Sequence, residues 1–340
     1  MKNQLPVIDL SELNDPEKHA AFYLNLRQTA RNIGFFYLVG HGIKASQIQA
    51  MQAQSRAFFA LNQDKKDALN MKHSPHFRGY TASKEELTRQ LPDHREQIDL
   101  GAHLPVHQNI PSDQPWLHLQ GPNLWPDEQD LPEFRQTVET YQQSLREVAI
   151  RLLRAFLVAL EQPENALDEL IAEPPVHLLK LVRYPASASS DDAQGVGAHK
   201  DTDILTLLWQ DEVGGLQVQS DAGWIDVPPL QDAFVINIGE ILELATNGYL
   251  RANVHRVSTP QGKQDRYSIA YFLAPNLNSR VPKLTLNPQL QALALGPEAD
   301  PNNPMFEQLG ANSFKSRLRS HVAVTEKYYP HIYPQATQVN

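Results

Sequence analysis

The stretch GVGAHKDTDILTLL, Gly195 to Leu208, places a histidine, a lysine and an aspartate in a row just ahead of an apolar, β-prone segment. Side chains alternate across a strand with period 2, so a strand through this stretch turns His199 and Asp201 to one face and Lys200 to the other. An imidazole and a carboxylate on one face can share a metal ion; a His-x-Asp triplet also arises often by chance and then ends as a surface hydrogen bond. The rest of the chain decides between these readings.

The chain has 340 residues, 41% of them hydrophobic and 20% charged, enough for a large core in one or two domains. Its formal charge of −9 and the lack of a dense Lys/Arg run speak against a nucleic-acid partner. There are no cysteines, so any metal must be held by nitrogen and oxygen ligands. The first residues, MKNQLPVIDLSEL, lack the apolar run of about 7 to 15 residues of a signal peptide. No window approaches the roughly 18 apolar residues of a membrane span. The expectation is a cytoplasmic, monomeric protein without a membrane partner.

The local patterns change character along the chain. A strand in LPVIDL is followed by a helix start at Asn14-Asp15-Pro16 and a stop at Gly34; GFFYLVGHGI reads as a buried strand, and Ser46 to Leu61 as a helix. From Asp67 to Pro132 no periodicity is sustained, which predicts long loops. Between Glu133 and Glu161 an apolar stripe from Phe134 through Val138, Tyr141, Leu145 and Val148 to Leu160 predicts a long core-facing helix. From His177 onward HLLKLVRY, ILTLLW, GLQVQ, WIDV, AFVINI, VHRVST and RYSIAYFLA are short β runs separated by turn residues. The fold class expected is α+β: a double-stranded β-helix, or jelly roll, with an N-terminal helical region packed around it. The division expected is 1–120 for the N-terminal region, 121–175 for a long connecting helix, 176–280 for the catalytic core and 281–340 for a C-terminal tail covering it.

His255, in NVHRVST, supplies a third candidate ligand, since a barrel can bring distant strands side by side. Two histidines and one carboxylate form the facial set that leaves three positions on non-haem Fe(II) for a co-substrate and dioxygen. Arg266 and Ser268 open the strand RYSIAYFLA on one face, a guanidinium and a hydroxyl turned the same way. Inside a barrel such an arginine calls for an anion, and a ligand carboxylate fits its fork; at a strand end it would pair with a surface acid.

His199-x-Asp201, His255 and Arg266-x-Ser268 together resemble the iron-dependent oxygenases of the isopenicillin-N-synthase-like group, including its 2-oxoglutarate-dependent dioxygenases. The likeness extends over LPVIDLSEL, ARNIGFFYLVGHGI, FRGYTAS, LVRYP, GGLQV, WIDVPP and FVINIGEILELATNGYLRANVHRV, and so over most of residues 5 to 275. It implies Fe(II) on His199, Asp201 and His255, and 2-oxoglutarate with its far carboxylate on Arg266 and Ser268. Dioxygen is then the second co-substrate, and a small molecule is oxidised with release of succinate and CO2. Where many plant members carry Asn two residues before the tyrosine of LVRYP, this chain has Val182, which leaves Tyr184 either to bond the co-substrate or to pack. That departure keeps open an oxidase that uses Fe(II) and O2 without 2-oxoglutarate; Gln338 near the C-terminus resembles a glutamine of the synthase itself. A zinc hydrolase would want a nearby base motif such as His-Glu-x-x-His, which is absent, and a non-catalytic cupin-like metal module leaves the inward Arg-x-Ser unexplained.

The substrate pocket is expected from the loops of residues 70 to 105, with Phe77, Arg78, Tyr80 and Arg95, and from the tail after Pro275; His73, His76, His103 and His107 read as loop histidines. The substrate is not legible, and hydroxylation, desaturation, cyclisation and ethylene formation are all open.

Overall fold

The computed structural model describes residues 5–186, 194–220, 223–298 and 303–332. The strands are β1 (Val7–Asp9), β2 (Phe35–Val39), β3 (Gly79–Thr81), β4 (Leu87–Thr88), β5 (Leu91–Pro92), β6 (Glu96–Gly101), β7 (His177–Tyr184), β8 (Gln194–His199), β9 (Leu205–Gln210), β10 (Leu216–Ser220), β11 (Gly223–Asp226), β12 (Phe234–Ile238), β13 (His255–Ser258) and β14 (Arg266–Leu273). The longer helices are α1 (His19–Asn32), α2 (Ala45–Phe59), a short α3 (Gln63–Ala68) and α4 (Phe134–Ala159). Beyond them come α5 (Glu240–Ala245), α6 (Pro288–Gln291), α7 (Leu309–Ser320) and α8 (Val322–Tyr328).

Eight strands form one sheet in the order β1-β2-β12-β9-β14-β7-β6-β3, and four form a second in the order β11-β10-β13-β8. The two sheets make the double-stranded β-helix, and alternation along each strand sorts the side chains. On β7, Leu179 and Leu181 join the large core on the helix side, whereas Val182 and Tyr184 join a smaller apolar cluster with Val196, Leu216, Val218 and Val257 of the second sheet. Every residue named for the predicted apolar stripe, from Phe134 to Leu160 at the C-cap of α4, is buried in the large core, so this helix is core.

The expectation of loops over residues 67–132 needs correction. This region supplies β3 and the fully buried β6, which pairs with β7 in register Asp99 to Lys180. EQIDLG has two acids and a glutamine among its six residues, and its acids are buried in ion pairs, so the strand lacks the composition that marks a buried β run.

Candidate active site

His255 and His199 face each other directly across the β13–β8 ladder, with ring centroids 4.3 Å apart. Asp201, however, is not on β8: the strand ends at His199, and Asp201 lies two residues beyond it in the turn leading to β9. The expected period-2 strand through both residues is therefore incorrect. The chain bends after His199, and the carboxylate reaches the histidines from the turn, its Oδ1 lying 3.5 Å from His199 Nε2 and 3.7 Å from His255 Nε2. One donor atom from each of the three residues falls within 4.8 Å of the others.

Neighbouring groups prepare these donors. His199 Nδ1 lies 2.8 Å from the Gly197 carbonyl and His255 Nδ1 3.4 Å from that of Asn253. A carbonyl only accepts, so each Nδ1 carries the proton and each Nε2 presents its lone pair toward the centre. Asp201 Oδ2 accepts from Thr206 Oγ1 at 2.5 Å and Asn237 Nδ2 at 2.8 Å, which leaves Oδ1 for the histidine side. Burial disfavours charge on Asp201, but His255, His199 and the Thr206 hydroxyl hold its carboxyl far below the ordinary range. Burial, reinforced by His199, pushes His255 down to about 4, so it is neutral near pH 7. Two nitrogens and one oxygen without a thiolate suit a divalent iron-type ion.

Arg266, at the start of β14, is 0% exposed and has no carboxylate oxygen within ion-pair distance among the described residues. Its Nη1 donates to Ser268 Oγ at 3.3 Å, its Nη2 to Gln210 Oε1 at 3.1 Å, and Nε has no partner among the described residues. Asp211, close enough to feel the guanidinium charge, spends its carboxylate on the amides of Val213 and Tyr267. The guanidinium carbon lies 4.7 Å from the Tyr184 ring centroid, so Tyr184 forms a cation–π floor under Arg266. Val182 is paired in register with Ser268.

His199, Asp201, His255, Arg266, Ser268 and Tyr184 all line one cavity. Of the four expected pocket residues only Arg95 lines it. Phe77 instead stacks on Tyr329 with ring centroids 5.7 Å apart, Arg78 is buried and donates to the Leu119 carbonyl, and the Tyr80 hydroxyl donates to Glu96. Phe77 and Tyr80 occupy apolar clusters, because Tyr80 lies on β3 in the large sheet and the segment just before it, which carries Phe77, packs into the body of the molecule. Three of the four loop histidines do structural work: His76 holds the His118 carbonyl, His103 bonds Asn123 and Trp125, and His107 pairs with Gln120. Sequence reasoning missed Gln210, Thr206, Asn237 and Lys180. Each is a polar side chain on a strand that also carries a run of apolar residues, and that mismatch is the signal available. Gln338 lies outside the described residues.

Comparison with known proteins agrees with this geometry. Residues 5–128 match the family model of the non-haem dioxygenase N-terminal region of morphine synthesis, and residues 175–275 that of the 2OG-Fe(II) oxygenase superfamily. The 2-oxoglutarate-dependent dioxygenase frbJ of Dothideomycetidae sp. is 33% identical, over 97% of this chain and 94% of its own. A homoarginine-6-hydroxylase of Glycine max is 31% identical over 83% of this chain and 88% of its own. Among solved structures, a full-length Neurospora crassa protein in complex with alpha-KG and thymine superposes with a TM-score of 0.73 at 26% identity, covering 96% of this chain and 97% of that one. The chain belongs to the family of 2-oxoglutarate- and Fe(II)-dependent oxygenases, and is an enzyme that uses Fe(II), 2-oxoglutarate and O2 to oxidise a small molecule.

Proposed function

We propose that His199, Asp201 and His255 hold the Fe(II), and that Arg266 and Ser268, over the Tyr184 ring, hold the far carboxylate of 2-oxoglutarate. The single observation that carries this is Arg266: a fully buried guanidinium with no carboxylate partner among the described residues is costly unless an anionic ligand completes it. When bound, the iron and co-substrate supply oxidative decarboxylation to succinate and CO2 and the power to oxidise a substrate C–H bond.

The protein's own part is orientation and dryness. Thr206 and Asn237 fix the Asp201 carboxylate so that one oxygen faces the metal position. Gly197 and Asn253 fix the histidine tautomers. Val182, Val196, Leu208, Leu216 and Val257 surround the cavity around Arg266, which strengthens a guanidinium–carboxylate pair by excluding water.

The same reading makes the protein a monomeric cytoplasmic enzyme without nucleic-acid or membrane partners, with its chain divided at residues 120, 175 and 280. The net charge of −9 supports the first exclusion, and no described helix is long and apolar enough to cross a membrane. The test is anaerobic addition of 2-oxoglutarate to the Fe(II) protein. A visible metal-to-ligand charge-transfer band is expected from the wild type and not from His255→Ala; no band from either overturns the assignment.

A further inference from the structure

Away from Arg266, the cavity is backed by six charged side chains that alternate in sign. Asp93 meets Arg95 at 3.2 Å, Arg95 meets Glu86 at 2.6 Å, Glu86 meets Lys180 at 3.0 Å, Lys180 meets Asp99 at 3.6 Å and Asp99 meets Arg317 at 2.7 Å. Burying so many charges brings little net stability, because desolvation offsets the attraction. Their arrangement relative to the cavity is asymmetric. The acids stand behind with their oxygens engaged: Asp93 also accepts from Thr88, Gln194 and the Gly197 amide, and Asp99 from Gln97. The cations Arg95 and Lys180 stand in front and line the cavity together with His199 and Asp201. Both ion pairs of Arg95 run through Nη2, and its Nε has no partner among the described residues. Lys180 has three N–H donors and, among the described residues, one hydrogen bond, to Glu86.

Lys180 cannot serve the carboxylate assigned to Arg266. It lies four residues from Tyr184 on the same face of β7, about 13 Å along the strand at roughly 3.3 Å per residue. Its register partner Ala270 is two residues from Phe272, which pairs with Thr206, the residue bonded to Asp201. Lys180 therefore stands at the metal end of the cavity, opposite the co-substrate anchor.

Resting on the metal and co-substrate assignment above, we propose that Lys180 and Arg95 receive a carboxylate of the primary substrate, so that the enzyme oxidises small organic acids. The ammonium and guanidinium share Glu86 behind them and offer their remaining N–H groups to the incoming anion, the arrangement that charge-assisted recognition of a carboxylate requires.

The test uses the anaerobic wild-type enzyme loaded with Fe(II) and 2-oxoglutarate. Its charge-transfer band is titrated with 3-phenylpropanoate and octanoate, and in parallel with their uncharged carboxamides. The acids are expected to perturb the band at concentrations at least tenfold below the amides. Lys180→Met should erase that preference and Lys180→Arg should keep it, with the 2-oxoglutarate affinity unchanged within about twofold in both. Acids that bind no better than amides, absence of binding included, overturn the proposal, as does a 2-oxoglutarate affinity that falls with Lys180→Met. Failure of the wild type to form the band at all overturns the underlying assignment instead.

Discussion

The hydroxyl of Thr206 donates to Asp201 Oδ2 at 2.5 Å, from the strand β9 that follows the turn carrying Asp201. With Asn237 on the same oxygen, the carboxylate is held so that Oδ1 alone faces the histidine nitrogens. A rigid strand thus positions a ligand that itself sits in a turn.

Thr206→Val removes that donor while preserving shape. Partners of this kind tune metal affinity by about 10- to 100-fold, so Fe(II) binding should weaken by about that factor. Thr206→Ser should restore most of it. Equal Fe(II) affinity in wild type and the valine variant, read by competition with a coloured chelator, would show that the hydrogen bond does not orient the ligand.

Removing a ligand outright has a larger effect. Asp201→Ala and His255→Ala should each lose iron retention and substrate oxidation while keeping the far-UV circular dichroism of the wild type. Both residues must matter for the facial arrangement to hold. Turnover at the wild-type rate in either variant, with iron bound stoichiometrically, is the result that would remove that residue from the metal site.

His177 gives a pH signature away from the metal. It is 8% exposed and neither ring nitrogen has a partner among the described residues; burial, aided by Arg78 and Arg146, holds its pKa down at about 4. An unfolded histidine titrates near 6.5. Between those values the unfolded chain takes a proton that the folded chain refuses, so the folded state loses up to about 1.4 kcal/mol per pH unit as pH falls. His177→Leu removes this term. The melting temperature of the variant relative to wild type should rise steadily from pH 7 to pH 4.5, and a difference that stays flat across that range would contradict it.

Much of this architecture is legible in the chain itself. The seven β runs from HLLKLVRY to RYSIAYFLA correspond to β7, β9, β10, β11, β12, β13 and β14, because each alternates or runs apolar between turn residues. The stripe of α4 is equally plain. What stays hidden depends on contacts between distant segments. β6 is a strand whose charges are neutralised by Lys66, Lys180, Arg183 and Arg317 from three other elements, so no local rule marks it. The place of Asp201 in a turn is misread because a triplet cannot reveal where its strand ends. The row of alternating charges behind the cavity draws on residues from 86 to 317, with no sequence motif to announce it.

Arg266 decides how the co-substrate is held. Its guanidinium bonds Ser268 and Gln210, stacks on Tyr184 and retains an Nε without a partner among the described residues, all within a cavity wall of valine and leucine. Truncating one partner of such a buried charge pair costs about 2 to 5 kcal/mol. At roughly 1.4 kcal/mol per tenfold, Arg266→Gln should lower the apparent affinity for 2-oxoglutarate by about 30- to 4,000-fold. Arg266→Lys should recover part of the loss, since an ammonium keeps the charge but not the planar fork or the stacking on Tyr184. The measurement is oxygen uptake against 2-oxoglutarate concentration with succinate quantified alongside. A change of less than threefold in Arg266→Gln would mean that the co-substrate carboxylate is held elsewhere. An affinity lost equally in the lysine and glutamine variants would instead place all of the recognition in the fork, with none of it in the charge.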